Sequence, residues 1–171
     1  GGTSCATAGQ GIAICDDITG DGQAEYIVGS PDACFGGGEF NVYSGATHAV
    51  LFGHYGFGDI ELGFSVDGAG DVDGDGTPDV VIGAREVTFA HSADGFVEVW
   101  SGATGLEIRH ADGVGLDNYF GGSVSGLGDL DGDGKAGVIG GGEGTLTAQA
   151  GTARVLAGQG FGNVYSTVGN T

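Results

Sequence analysis

Basic side chains are nearly missing from this sequence. Four Lys and Arg stand against 23 Asp and Glu, a formal charge of −19. A surface that grips phosphate must be basic, so this balance argues against nucleic acid and against an anionic membrane as partners. Methionine is absent altogether. With no initiator and no leader pattern, the simplest expectation is a mature or excised segment. No apolar run approaches the roughly 20 residues of a membrane-crossing helix, so membrane insertion is not expected. Prolines number two and glycines 41, but there is no Gly-x-y period, and 40% of the residues are hydrophobic. Regularly spaced turns between short strands account for the glycine better than low complexity does. Cysteines are three, Cys5, Cys15 and Cys34, without metal-site spacing. A disulfide between two of them suits an extracellular chain, with the pairing left open and one thiol over.

Catalytic signatures are scarce as well. No serine sits in a nucleophile elbow, and the Gly-x-Gly pairs do not open helices. His48, His54, His91 and His110 share no motif and read as surface or inter-blade residues. Neither an Arg-Gly-Asp sequence nor an Asn-x-Ser/Thr acceptor occurs. No enzyme and no catalytic residue is therefore expected.

What the sequence does have is Asp71-Val72-Asp73-Gly74-Asp75-Gly76-Thr77-Pro78-Asp79. Calcium takes six to eight oxygens at about 2.3–2.6 Å. A loop turning around it aims alternate side chains inward: Asp71, Asp73 and Asp75, then the Thr77 carbonyl, then Asp79. Gly74 and Gly76 permit the bend. An EF-hand needs an acid at position twelve and flanking helices, whereas position twelve is Ile82 and no helical period is present. An Asp/Gly turn that binds nothing is the plainer alternative. It would crowd like charges with no counter-charge.

The loop recurs as Asp129-Leu130-Asp131-Gly132-Asp133-Gly134-Lys135-Ala136-Gly137 and as Asp17-Ile18-Thr19-Gly20-Asp21-Gly22-Gln23-Ala24-Glu25. Such a period marks a repeat in which each copy is one supersecondary unit. A small-residue strand precedes each loop, and an apolar strand ending in glycine follows it. A third strand comes next: 40–43, 97–100 or 153–156. After a turn such as Ser101-Gly102-Ala103-Thr104 comes a fourth, less regular strand. The expected fold is all-β: a β-propeller-type array of three four-stranded antiparallel blades. It forms one repeat domain over 1–171, with an arm at 1–8 and blades at about 9–56, 62–113 and 119–168. Trp100 aligns with Tyr43 and Leu156 and reads as core rather than as a sugar platform. Tyr55, Phe57 and Tyr119 are expected in connections along one rim.

Phe120-Gly121 before a strand, the Asp-x-Asp-x-Asp-Gly loop and Ile82-Gly83-Ala84 after it resemble the FG-GAP repeat, which builds the propeller head of integrin α subunits. The resemblance covers about residues 9–168 and implies one calcium ion in the loop joining the first two strands of each blade. Carried over by position, the metal set is Asp71, Asp73, Asp75, Thr77 and Asp79; Asp17, Thr19, Asp21, Gln23 and Glu25; and Asp129, Asp131, Asp133 and Lys135. The third loop has Gly137 where the closing acid belongs. Affinity should therefore fall from the second loop to the first to the third. The phenylalanine of the motif is replaced in Leu62-Gly63 and Ala8-Gly9.

Closed propellers have four to eight blades, so three leave an open face at each end. The expected role is an extracellular calcium-binding structural or adhesive module. It would self-associate, as a closed dimer or a head-to-tail polymer, or engage a surface protein or glycan. A carbohydrate-binding propeller and an accessory fragment of a larger secreted enzyme are the alternatives.

Overall fold

The computed structural model describes residues 8–33, 36–85, 95–113, 119–143, 151–157 and 162–168. Cys5, Cys34, His91 and most of the expected arm lie outside them.

Among the described residues twelve strands form three sheets of four, in sequence order within each. The first holds β1 (Gly11–Cys15), β2 (Glu25–Ser30), β3 (Glu39–Tyr43) and β4 (Val50–Tyr55). The second holds β5 (Leu62–Gly70), β6 (Asp79–Ala84), β7 (Phe96–Trp100) and β8 (Glu107–Asp112). The third holds β9 (Ser123–Gly128), β10 (Gly137–Gly142), β11 (Thr152–Ala157) and β12 (Gly162–Val168). Every neighbouring pair is antiparallel, as short strands joined by tight turns require. The fourth strands run further than the sequence pattern predicts. Tyr55, His54 and His110 therefore lie within strands, and Tyr55 ends β4 instead of sitting in a connection.

The sheets stack face to face, and the core lies between them. Cys15, Ile27, Phe40 and Val42 of the first sheet meet Val66, Val80, Ile82 and Trp100 of the second. Val81, Val97 and Val99 of the second meet Phe120, Val138 and Leu156 of the third. β6 is buried along its whole length, because it faces a neighbouring sheet on both sides. That is why Val80-Val81-Ile82 is a continuous apolar run and not an alternating one. Each such side chain contributes about 1.5–3 kcal/mol by leaving water. Trp100 packs edge-on to Phe40, with ring centroids 5.2 Å apart, which bears out its reading as core. Cys15 is buried, and burial, before all else, pushes its thiol up to about 12.

Two glycine pairs set how closely the sheets approach. Gly63 and Gly121 adopt φ of +82° and +87°, a left-handed conformation that side chains resist. Their carbonyls press on Gly29 and Gly83 of the preceding sheet, where an added Cβ would lie 2.0 and 2.1 Å from the oxygen. The residues before them, Leu62 and Phe120, are fully buried and bridge to Gly38 and Gly95. The glycine after Leu62 or Phe120 and the glycine ending the post-loop strand thus form one clasp between successive blades.

Among the described residues nothing covers the outer face of the first sheet. Ile12 and Ile14 are 71% and 75% exposed. Together with Tyr26 and Val28 they line an open apolar groove of about 510 Å³.

Candidate metal centres

The three acidic loops join the first and second strands of their sheets and share one internal scheme. In the second loop Asp71 accepts hydrogen bonds from the backbone N–H groups of Gly74 (2.7 Å), Asp75 (3.1 Å) and Gly76 (2.9 Å). The chain therefore curls around the first carboxylate. Asp75 accepts from the N–H of Thr77 at 2.7 Å, which tightens the second half of the turn. Asp79 closes the loop from the first position of β6, where it is fully buried. It accepts from Val72 N–H at 2.8 Å and from Gly102 N–H, in the turn between β7 and β8, at 3.1 Å. Burial is the chief reason its carboxyl is pushed up to about 6. The carboxylates of Asp71, Asp73 and Asp79 converge, with one oxygen of each within 4.8 Å of the others.

The first loop repeats the curl. Asp17 accepts from Gly20 (2.7 Å), Asp21 (3.1 Å) and Gly22 (2.7 Å). These N–H groups, that of Gly22 foremost, hold its carboxyl below the ordinary value. The longer Glu25 reaches the place taken by Asp79. It is fully buried, accepting from Ile18 N–H at 2.5 Å and from the Thr19 hydroxyl at 3.3 Å. Asp17, Asp21 and Glu25 converge. Thr19 thus helps hold the closing acid in place.

In the third loop Asp129 accepts from Gly132 (2.8 Å) and Gly134 (3.0 Å), and Asp133 accepts from Lys135 N–H at 2.9 Å. Asp129, Asp131 and Asp133 converge, all three exposed. Gly137 brings no side chain to close the ring. Lys135, expected beside its own loop, sends its ammonium across to the Asp73 carbonyl of the second loop. The Ala136 N–H bonds the Asp71 carbonyl at 2.7 Å, so the third loop is laced to the second.

The donor set suits a hard divalent cation. Two oxygens bound to one calcium ion lie at most about 4.6–5.2 Å apart, and each loop gathers three carboxylates within that limit. Among the described residues no basic side chain forms an ion pair with any of them. In the first two loops one of the three is a fully buried carboxyl, which is costly to ionise without a counter-charge. The Asp75 carboxylate lies in the second loop but outside its convergent set of three.

Sequence reading missed a fourth convergence. Glu98 on β7 and Glu107 and His110 on β8 bring ligand atoms within 4.8 Å of one another. His110 is therefore not a bland surface histidine. Glu98 first, then Asp112, push its imidazole up to about 9 against the opposing effect of burial. Its one sequence signal was that no counterpart occurs in the other two copies.

Stacked four-stranded sheets, each with an acidic loop between its first two strands, define a β-propeller-type blade array. Residues 62–100, which carry β5, the second loop, β6 and β7, match the FG-GAP repeat family. The second blade is an FG-GAP repeat, and the first and third sheets reproduce its strand order and loop. Among solved structures the chain is similar to rhamnogalacturonan lyase YesW, at 16% identity and a TM-score of 0.60 over 95% of this chain and 34% of that one. It thus spans about a third of that structure, and the likeness is one of fold. No curated protein matches the chain in sequence.

Proposed function

We propose that this chain is an extracellular calcium-binding structural or adhesive module, without enzymatic activity, in which each ion pins the hairpin between the first two strands of a blade. The carrying observation is the buried closing acid of the first two loops, a carboxyl whose neighbours are N–H dipoles, a hydroxyl and further carboxylates, with no basic side chain paired to it among the described residues. An ion that binds the folded chain alone adds its binding free energy to stability, about 2.7 kcal/mol at a hundred times Kd. Outside cells calcium is abundant, so even the third, weaker loop fills. The expected result is a melting temperature that falls on adding chelator and recovers with calcium but not with sodium. An unchanged melting temperature refutes the stabilising role.

Self-association is the second part of the reading. Ile12, Ile14, Tyr26 and Val28 occupy the sheet face that, in the second blade, is covered by its neighbour. A second copy presenting its third sheet there would bury them and give either a closed dimer or a growing polymer. Light scattering in calcium distinguishes these. A monomer at all concentrations removes self-association while leaving the calcium reading intact.

The groove between the first and second blades favours a carbohydrate reading, because Phe52 lies there with Thr19, Thr77 and Thr104 in about 450 Å³. Glycan binding lost in Phe52→Ala would support it. An accessory segment of a larger secreted enzyme is supported by the share of the lyase that the chain spans.

A further inference from the structure

We propose that Glu98, Glu107 and His110 form a binding site for a divalent transition-metal ion of the zinc class, distinct from the three loops. The site is created by a β-bulge. Glu98 lies opposite His110 and Val99 opposite Arg109, but Trp100 lies opposite Glu107, which leaves Ile108 unopposed. In a regular strand residues 107 and 110 would point to opposite faces. The extra residue turns Glu107 back, so Glu98, Trp100, Glu107 and His110 share one face. Re-aiming a side chain in this way is a known use of bulges.

The spacing is that of a coordination shell more than of an ion pair. His110 Nδ1 stands 3.4 Å from one oxygen of Glu98 and 3.6 Å from one of Glu107. A hydrogen-bonded ion pair closes to about 2.7–2.9 Å. Ligands about 2.0–2.1 Å from a tetrahedral zinc ion lie about 3.3–3.4 Å from each other. His110 makes its close contact with the other nitrogen, since Nε2 lies 2.9 Å from Asp112. Asp112 accepts the proton on Nε2, so a metal entering between the two glutamates takes the place of the Nδ1 proton, giving the carboxylate–histidine–metal relay of zinc sites. The second oxygen of Glu98 is held by the Trp100 indole N–H at 2.9 Å, which aims the first oxygen at His110.

The repeats supply an internal control. The same bulge occurs in the first blade between Val42 and Tyr43 and in the third between Val155 and Leu156. The positions of Glu98, Glu107 and His110 are occupied by Asn41, Val50 and Gly53 in the first, and by Arg154, Asn163 and Ser166 in the third. The backbone device is general, and only the second blade loads it with ligands. One imidazole and two carboxylates suit zinc, whereas calcium asks for six or more oxygens.

The test titrates the whole chain, in saturating calcium, with Zn²⁺ by calorimetry and with Co²⁺ by visible absorption. Trp100, the sole tryptophan, serves as a fluorescent reporter. The expected result is one Zn²⁺ per chain beyond the calcium, with Co²⁺ giving a d–d band and quenching Trp100. Glu107→Gln, at a side chain 42% exposed and so harmless to folding, lowers zinc affinity at least tenfold. Asp112→Asn lowers it about 10- to 100-fold, and His110→Ala abolishes it. The calcium-dependent melting temperature of Glu107→Gln stays that of the parent, which separates this site from the loops. No zinc uptake by the parent, or uptake unchanged in both Glu107→Gln and Asp112→Asn, overturns the proposal.

Discussion

The second and third loops have the same length, the same acids at their first, third and fifth positions and the same curl of N–H groups around the first carboxylate. They differ at the ninth position, where Asp79 is buried and bonded to two backbone N–H groups while Gly137 offers none. A closing acid therefore does two jobs. In the proposed calcium site it is the ligand that completes a ring of charge. As an acceptor it ties the loop to its own start, through Val72, and to the turn between the third and fourth strands, through Gly102. The third loop has lost both ties. It is held instead from outside, by Ala136 and Lys135 reaching the second loop. One loop is anchored in its own blade, the other leans on its neighbour.

The sharpest way to break this contrast is Asp79→Ala. It removes a ligand and leaves two N–H groups without their acceptor, at a cost of about 2–4 kcal/mol in calcium, or roughly 5–10 °C in melting temperature. Calorimetry should show the highest-affinity calcium event gone. The milder Asp79→Asn tests the charge alone. Because the folded-state carboxyl is raised from 3.8 to about 6, its contribution without calcium is greatest below pH 4 and is lost as pH rises through 6. Calcium needs the ionised form, so its stabilising effect grows over that same window. Asn at this position should flatten both trends.

The converse change, Gly137→Asp, supplies the missing acid. Gly137 is not among the left-handed glycines, so its backbone accepts a side chain. Calcium affinity of the third loop should rise about tenfold or more, seen as a stronger second or third event in the calorimetric titration. No gain would mean that the closing position matters through its hydrogen bonds alone. The smallest effect is expected from Lys135→Ala. Its ammonium sits on the Asp73 carbonyl, where it opposes a cation in the second loop. Its removal should tighten that loop only about two- to fivefold, and less at high salt, as befits a partly exposed charge.

Much of this architecture was legible in the residues. The Asp-x-Asp-x-Asp-Gly spacing marked the loops, and Val80-Val81-Ile82 marked a strand covered on both faces. The recurrence of the whole pattern gave the blade count. What escaped depends on contacts that no local pattern encodes. Lys135 bonds a carbonyl 62 residues away, so its charge is spent on a loop other than its own. Glu107 and His110, three apart, would fall on opposite faces of a regular strand, and the unopposed Ile108 is what puts them together. The fourth strands blurred into connections because their outer positions are exposed and carry no apolar alternation.

The glycine clasp carries a rule for building. Gly63 and Gly121 act as tongues, Gly29 and Gly83 as grooves, and neither kind of position leaves room for a methyl group. The third blade has its own groove residue in Gly141, and the first has its tongue residue in Gly9, at φ +94°. Every unit thus carries the same joint on both sides, like boards milled to one profile. Nothing within a board specifies how many are laid. The number of blades in an assembly of such units is decided by where the row can meet itself, not by any single unit.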